Sequence, residues 1–391
     1  MENFVCMMME LIAGEIGGRT YDELRRGLTD SELARLYRLS KDHDLAHLVG
    51  NALIKNSLIS NDEIRAEFQK QIMLAVYRQE RLDGELNRLR RVLNAAEIRF
   101  IPLKGAVLRR YYPEPWMRTS CDIDILVHES DLERTLAVLK EKMAYRPESK
   151  GSHDVGLFSE GGVHVELHYG LIEERCVEGA EAVLRSAWDD ATAVSGGCEY
   201  ALSDAMFYFY HVAHMAKHFV GTGGCGVRAF ADIWILKHRV EHDSGKREEL
   251  LEKGGLADFA RQAELLSEIW FGNAEHTELT KRLEAYILRG GVYGTAENSV
   301  IVQQQLRGGK LRYALSKIFI PYDVIRFHYP ILQRHRWLTP VMEVRRWGKL
   351  IFCGSLKRVA GELRYNGAIS EDTAADARDF LEGLGLRNKA R

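Results

Sequence analysis

The chain has 391 residues, 46% apolar and 28% charged, with a formal charge of −2. That is the balance of a folded globular protein with room for more than one core, and it excludes a disordered chain or a uniformly polyanion-binding one. Six cysteines, at 6, 121, 176, 198, 225 and 353, include no CxxC pair, which argues against a zinc ribbon or a disulfide framework and for a reducing, cytoplasmic setting.

The first stretch, MENFVCMMMELIAGEIGG, carries Glu2 and Glu10 and has no basic start, so it reads as a packing helix and not a signal peptide. Thr29 to Glu32 offers an N-cap, and Leu33, Leu36 and Leu39 follow at helical spacing. Asn61-Asp62 caps a longer helix from Glu63 towards Leu93, with Phe68, Ile72, Val76, Leu82, Leu86, Leu89 and Leu93 as its apolar positions. Residues 1–92 are therefore expected to be an N-terminal helical region.

The period then changes. Ile98 to Leu103 is a strand ending at Lys104-Gly105, and Ala106 to Tyr112 a short helix stopped by Pro113 and Pro115. From Cys121 to Val127 the pattern alternates, with Ile123, Ile125 and Val127 on one face and Asp122 and Asp124 on an exposed acidic one. Ser130-Asp131 is expected to cap a helix from Leu132 to about Lys142. A hairpin follows, Leu157 to Ser159 and Val163 to Leu167, turned at Gly161-Gly162. Its second arm points Val163, Val165 and Leu167 one way and His164, Glu166 and His168 the other. These elements define a core over residues 93–200. Beyond it, Ser203 caps an apolar helix to about Phe219, Gly221 to Gly226 connects it to a helix from Val227 to about His238, and a mostly helical remainder (201–391) ends in a frayed Arg387 to Arg391. The longest apolar candidate, Tyr313 to Leu332, is broken by Lys317, Pro321, Asp323 and Arg326, so no membrane span is expected. The fold class is α+β, a small mixed sheet flanked by helical regions. The N-terminal helices are expected to pack against the sheet domain and the C-terminal helices to form the other wall of a cleft.

Three features in order bear on chemistry: Lys104-Gly105 at a strand-to-helix turn, Asp122-Ile123-Asp124 on the next strand, and Glu166 on a later one. Aspartates at i and i+2 on a strand share a face, roughly 7 Å apart. A third carboxylate from an adjacent strand completes an oxygen-rich site of the kind that Mg²⁺ or Mn²⁺ prefers. Two such ions activate an attacking hydroxyl and neutralise a leaving pyrophosphate. A glycine at the turn lets backbone approach a triphosphate at a helix N-terminus.

The stretch LKGAVLRRYYPEPWMRTSCDIDILV, followed by VHVELHYGL, resembles the uncharacterised nucleotidyltransferase family of the DNA-polymerase-β-like superfamily. The resemblance implies that Gly105 occupies the glycine motif, that Asp122 and Asp124 are the paired metal ligands, and that Glu166 is the third carboxylate, activating the acceptor. It extends more weakly to GVRAFADIWIL and KIFIPYDVIRFHYPIL. Most of the superfamily has Gly-Ser where this chain has Lys104-Gly105-Ala106. The gripping hydroxyl is absent, and Lys104 supplies a point charge instead.

Other residues carry alternatives. Arg118 binds a triphosphate, pins Asp122 or makes a structural salt bridge. Arg109 and Arg110 read as solvated. His164 reads as structural, and His168 as structural or substrate-touching. His211, His214 and His218, at i, i+3 and i+7, form a polar helix face lining the cleft, where His214 or His218 meets substrate, in preference to a metal site. Arg228 and Asp232 are spaced to pair with one another. Gly221 to Gly226 lacks the Gly-Lys-Ser/Thr ending of a P-loop and reads as a helix connection, and Phe207 to Tyr210 as core. The expectation is an NTP- and metal-dependent enzyme, with ATP among the donors, that transfers a nucleoside monophosphate to an unidentified hydroxyl or phosphate acceptor. No stable nucleic-acid complex is expected. Its rivals are a phosphotransferase on the same acidic site and a non-catalytic nucleotide- or partner-binding module.

Overall fold

The N-terminal helices are α1 (Glu2–Gly17), α2 (Asp30–Asp42), α3 (Ala46–Lys55) and α4 (Asp62–Ala95), held by apolar residues at helical spacing, with side-chain caps at α2 and α4. Thr29 and Glu32 form a reciprocal capping box at the start of α2, and the Asn61 carboxamide accepts from the Glu63 and Ile64 amides at the start of α4. The computed structural model describes residues 2–18, 28–171, 177, 179–194, 196–292, 294–352 and 356–386. Cys176, Cys353 and the expected frayed end Arg387 to Arg391 lie outside them.

The sheet contains β1 (Phe100–Pro102), β2 (Asp122–Val127), β3 (Arg146–Lys150), β4 (Asp154–Phe158) and β5 (His164–His168), with α5 (Gly105–Leu108) after β1 and α6 (Leu132–Met143) after β2. Strand order is β1-β2-β5-β4-β3. The β2–β5 pair is parallel and the other three are antiparallel. Strand β3 escapes the alternation rule because its residues, Arg-Pro-Glu-Ser-Lys, are all exposed. Charge and proline suit an edge strand, where they discourage further pairing. Asp131 precedes α6 without a side-chain cap bond, because Ser130 and Asp131 lie in a 3-10 turn, Glu129–Asp131.

After the sheet come α7 (Ala180–Leu184), α8 (Ala187–Asp190), a small hairpin of β6 (Thr192–Ala193) and β7 (Tyr200–Ala201), then α9 (Asp204–Gly221) and α10 (Val227–His238). The chain continues as α11 (Ser244–Lys253), α12 (Ala257–Phe271), α13 (Glu278–Gly290), α14 (Ala296–Leu306), α15 (Lys310–Ile318), α16 (Tyr322–His328), α17 (Ile331–Arg334), α18 (Thr339–Phe352), α19 (Leu356–Ala368) and α20 (Glu371–Gly383). No helix among the described residues is long and apolar enough to cross a membrane.

Each face of the sheet meets a different core. Ile123, Ile125, Val127, Val155, Leu157, Val165 and Leu167 pack on Leu82, Leu86, Leu89 and Leu93 of α4 and on Leu132 and Leu139 of α6. A larger core joins α1 and α3 to α9, α10 and α12, and reaches the sheet at Ile101 and Leu126. Helix α1 packs on α3 and α12, and the second half of α4 supports the other face of the sheet. The N-terminal helices reach the sheet domain as expected, α4 through its second half and α3 through the His47 ring, which bonds the Met117 carbonyl at 3.0 Å. The acidic face of β2 is also not the exposed one the alternation suggests, since Asp124 is only 2% exposed. Residues of α9 and α10 form the wall opposite it.

Candidate functional site

Parallel pairing of β2 with β5 sets Asp122 beside His164, Asp124 beside Glu166 and Leu126 beside His168. Because side chains alternate, these residues share one face. Gly156 of β4 lies opposite Glu166, and a Cβ there would come within 2.8 Å of the Ser149 hydroxyl and 3.3 Å of the His164 ring. The missing side chain keeps the centre of this row open.

Lys104 leads off β1 into this face. Its backbone has φ 42°, a left-handed value rarely adopted by a residue with a side chain. Its ammonium lies 2.6 Å from the Asp124 carboxylate and 3.7 Å from Glu166. His168 lies on the other flank, its Nε2 3.0 Å from Asp124 and 3.4 Å from Glu166. Burial opposes ionisation of Asp124, but Lys104 and His168 override it and hold this carboxyl well below its usual range. Asp122 goes the other way. Burial, and then the neighbouring Asp124 charge, push its carboxyl up to about 6, and no described residue hydrogen-bonds or ion-pairs with its carboxylate.

The other site residues are positioned by packing. Gly105 is required by a close approach of Ser120, whose hydroxyl would lie 2.9 Å from an added Cβ. The helix it opens, α5, runs only four residues. Arg109, expected to be solvated, is buried, donating to Asp83 at 2.7 Å, Ser120 at 3.0 Å and the Gly105 carbonyl at 2.8 Å. Arg118 pins Asp232, not Asp122: its Nη2 reaches Asp232 at 2.8 Å, and Nη1 donates to the Thr119 carbonyl at 2.7 Å. Tyr112 donates to the same Asp232 at 2.8 Å. Arg228 bonds Asp44 at 3.0 Å, so Arg228 and Asp232 reach separate partners in place of the expected mutual pair. Their helix is stitched instead to the loop before β2 and to the turn between α2 and α3.

Lys104, Gly105, Arg118, Asp122, Asp124, Glu166, His168, His214 and His218 all line a single cavity of about 370 Å³. Its floor is the acidic row, and its far wall comes from α9 and α10. The His211 ring bonds the Ala229 carbonyl at 3.0 Å. Desolvation, aided by the Lys104 charge, keeps His214 well below the usual imidazole range, and desolvation, aided by Lys217, holds His218 near 4. Both are therefore neutral wall groups at pH 7. Three lining residues were missed by sequence reasoning. His153 and Lys217 meet across the cavity at 3.3 Å. Tyr210, assigned to the core, is 1% exposed and has a hydroxyl with no hydrogen-bond partner among the described residues, beside Lys104. The signal for Tyr210 and Lys217 was present, since both share a helix face with His214.

Asp122, His164 and Glu166 have ligand atoms all within 4.8 Å of one another, as do Asp124, Glu166 and His168. The expected trio of carboxylates is thus shared between two groupings, with Glu166 common to both. The first suits a divalent cation: two carboxylates and an imidazole converge there, and no described residue hydrogen-bonds or ion-pairs with the Asp122 carboxylate. The second already holds the Lys104 ammonium on Asp124.

The sequence profile of a family described as an uncharacterised nucleotidyltransferase matches residues 29–272 of this chain. No curated protein and no solved structure matches it.

Proposed function

Since the chain belongs to the uncharacterised nucleotidyltransferase family, we propose that it transfers a nucleoside monophosphate from an NTP to an acceptor hydroxyl or phosphate and releases pyrophosphate. The observation that carries this reading is the β2–β5 register, which brings Asp122, Asp124 and Glu166 to the floor of one cavity with Lys104 among them. Asp122, Glu166 and Asp124 would hold Mg²⁺ or Mn²⁺, which when bound supplies charge neutralisation and acidifies a coordinated hydroxyl. The chain's own groups do the rest. Lys104 moves its ammonium from Asp124 to the triphosphate and offsets the charge that grows on the departing pyrophosphate. Glu166 takes the acceptor proton as the acceptor oxygen bonds the α-phosphorus and the bond to pyrophosphate breaks. The Tyr210 hydroxyl and neutral His214 donate to phosphate oxygens from the opposite wall. Rate enhancement comes from positioning and charge complementarity.

The Lys104–Asp124 pair favours a second reading, a nucleotide-binding module whose metal position has been taken over by a side chain. Calorimetry with each NTP and Mg²⁺ or Mn²⁺ decides between them when combined with product analysis. The transferase reading expects metal-dependent binding of an NTP, its loss in Asp122→Asn (which keeps the fold) and in Asp122→Ala/Asp124→Ala, and pyrophosphate once an acceptor is supplied. Release of nucleoside diphosphate would make the protein a phosphotransferase. Binding that ignores both metal and Asp122 would leave a module without chemistry.

A further inference from the structure

The segment from Lys310 to Phe352 is arranged with its polarity reversed. It carries nine Lys and Arg against two acidic residues, in a chain whose total charge is −2. It also exposes large apolar side chains: Leu311 is 73% exposed, Trp337 74%, Val344 73% and Phe352 91%. Helix α18 shows the inversion most clearly. Its inward face is polar: buried Glu343 accepts from the Ile320 amide at 2.7 Å and from Arg346 at 2.7 Å, while Trp347 donates to the Ile318 carbonyl at 3.0 Å. Its outward face holds Val341, Val344, Ile351 and Phe352, with Arg345 and Lys349 exposed among them. On α15, Tyr313 turns inward to a small core with Val300 and Ile369, and Leu311 and Leu315 turn outward beside exposed Lys310 and Arg312.

A soluble surface does not repay this arrangement, because apolar area left in water forfeits the free energy that burial supplies. A partner that suits it must present negative charge and apolar depth at the same place. An anionic bilayer does so: phosphate headgroups meet the Lys and Arg side chains, and the acyl boundary a few ångströms below takes Val, Leu, Ile, Phe and Trp. Nucleic acid matches the charge but gives aliphatic side chains nothing to enter. We propose that residues 310–352 form a peripheral docking surface for anionic lipid, lying on the membrane without spanning it. The proposal is independent of the transferase reading.

Co-sedimentation of the full chain with vesicles tests it. The protein is expected to pellet with an equal mixture of phosphatidylglycerol and phosphatidylcholine and to stay in solution with phosphatidylcholine alone. Val344→Glu/Phe352→Glu and Arg345→Glu/Lys349→Glu are both expected to cut partitioning at least about tenfold, with unchanged melting temperature because all four side chains are exposed. The Trp337 emission should shift to the blue on vesicle addition and lose that shift in Trp337→Phe. Three results overturn the proposal: no pelleting with the anionic mixture; a concentration-dependent dimer that Val344→Glu/Phe352→Glu abolishes, which would make a second copy the occupant; or retention of an RNA homopolymer that only Arg345→Glu/Lys349→Glu loses.

Discussion

Lys104 combines two demands in one residue. Its backbone sits at φ 42°, a conformation costing on the order of 1–3 kcal/mol, and its ammonium neutralises a carboxylate that is 2% exposed. Lys104→Ala removes the ammonium and keeps the strained backbone, so it is expected to lose roughly 3 kcal/mol in urea unfolding, the order seen when one partner of a buried pair is deleted. Lys104→Gly should lose about 1 kcal/mol less, because glycine accepts the left-handed value. Mn²⁺ titrated in the absence of nucleotide should bind both variants more tightly than wild type, since Asp124 no longer carries a resident cation. NTP binding should weaken in both. If Mn²⁺ affinity falls with NTP affinity, Lys104 is not competing for the metal position. The residues on this face were legible where a period of two marks them: Asp122 and Asp124 alternate against Ile123 and Ile125, and Glu166 against Val165 and Leu167. The Lys104–Asp124 contact, the burial of Arg109 and the Arg118–Asp232 and Arg228–Asp44 pairs were not legible. Each joins groups brought together by tertiary packing, which no local spacing encodes.

At the scale of elements, the helices that wall the cavity make the fold sensitive to acid. His43 and His47 follow α2 and open α3, and His211, His214 and His218 lie on α9. Desolvation lowers all five below the ordinary imidazole value of 6.5. A lowered folded value means that the unfolded chain binds protons first. The stability these groups contribute is complete above pH 6.5 and is lost as pH falls towards the folded values, near 4 for His218. His168 has the opposite sign: Asp124 and Glu166 outweigh its burial and raise it, so its contribution is present below 6.5 and disappears above. His128 adds a sixth lowered ring, while Asp122, pushed up to about 6, gains stability as pH falls and opposes them. With six rings against that one carboxyl, the urea midpoint should fall between pH 6.5 and 4, and His218→Gln should flatten the fall. A midpoint constant over that interval would mean that these rings are solvated. Element type was readable wherever apolar periodicity persisted, as in α4, β2, β5 and α9. Strand β3 has no apolar residue to betray it and is held by backbone pairing to β4. Cap prediction worked where the side chain bonds, as at Thr29, Asn61 and Ser203, and misplaced Ser130-Asp131, where a 3-10 turn supplies the entry to α6.

Across the whole molecule, Asp232 is the clasp between the wall and the floor. It receives Arg118 and Tyr112 at 1% exposure, joining α10 to the loop that leads into β2. Asp232→Asn leaves the Arg118 charge buried without its counter-ion. It is expected to cost roughly 3 kcal/mol in thermal unfolding and to raise hydrogen exchange in α10 and β2 together. Exchange that rises in one of them alone would show that the two are not coupled. The same topology governs how the site comes into being. Asp124 and His168 are 44 positions apart in sequence, on neighbouring parallel strands that cannot pair until α6 and the β3–β4 hairpin have been threaded past. Long-range parallel pairing closes late and slowly. A nascent chain therefore displays both aspartates with Lys104 well before Glu166 and His168 exist, and a fragment ending ahead of β5 lacks the strand that joins β2 to β4, leaving two separate strand pairs in place of one sheet.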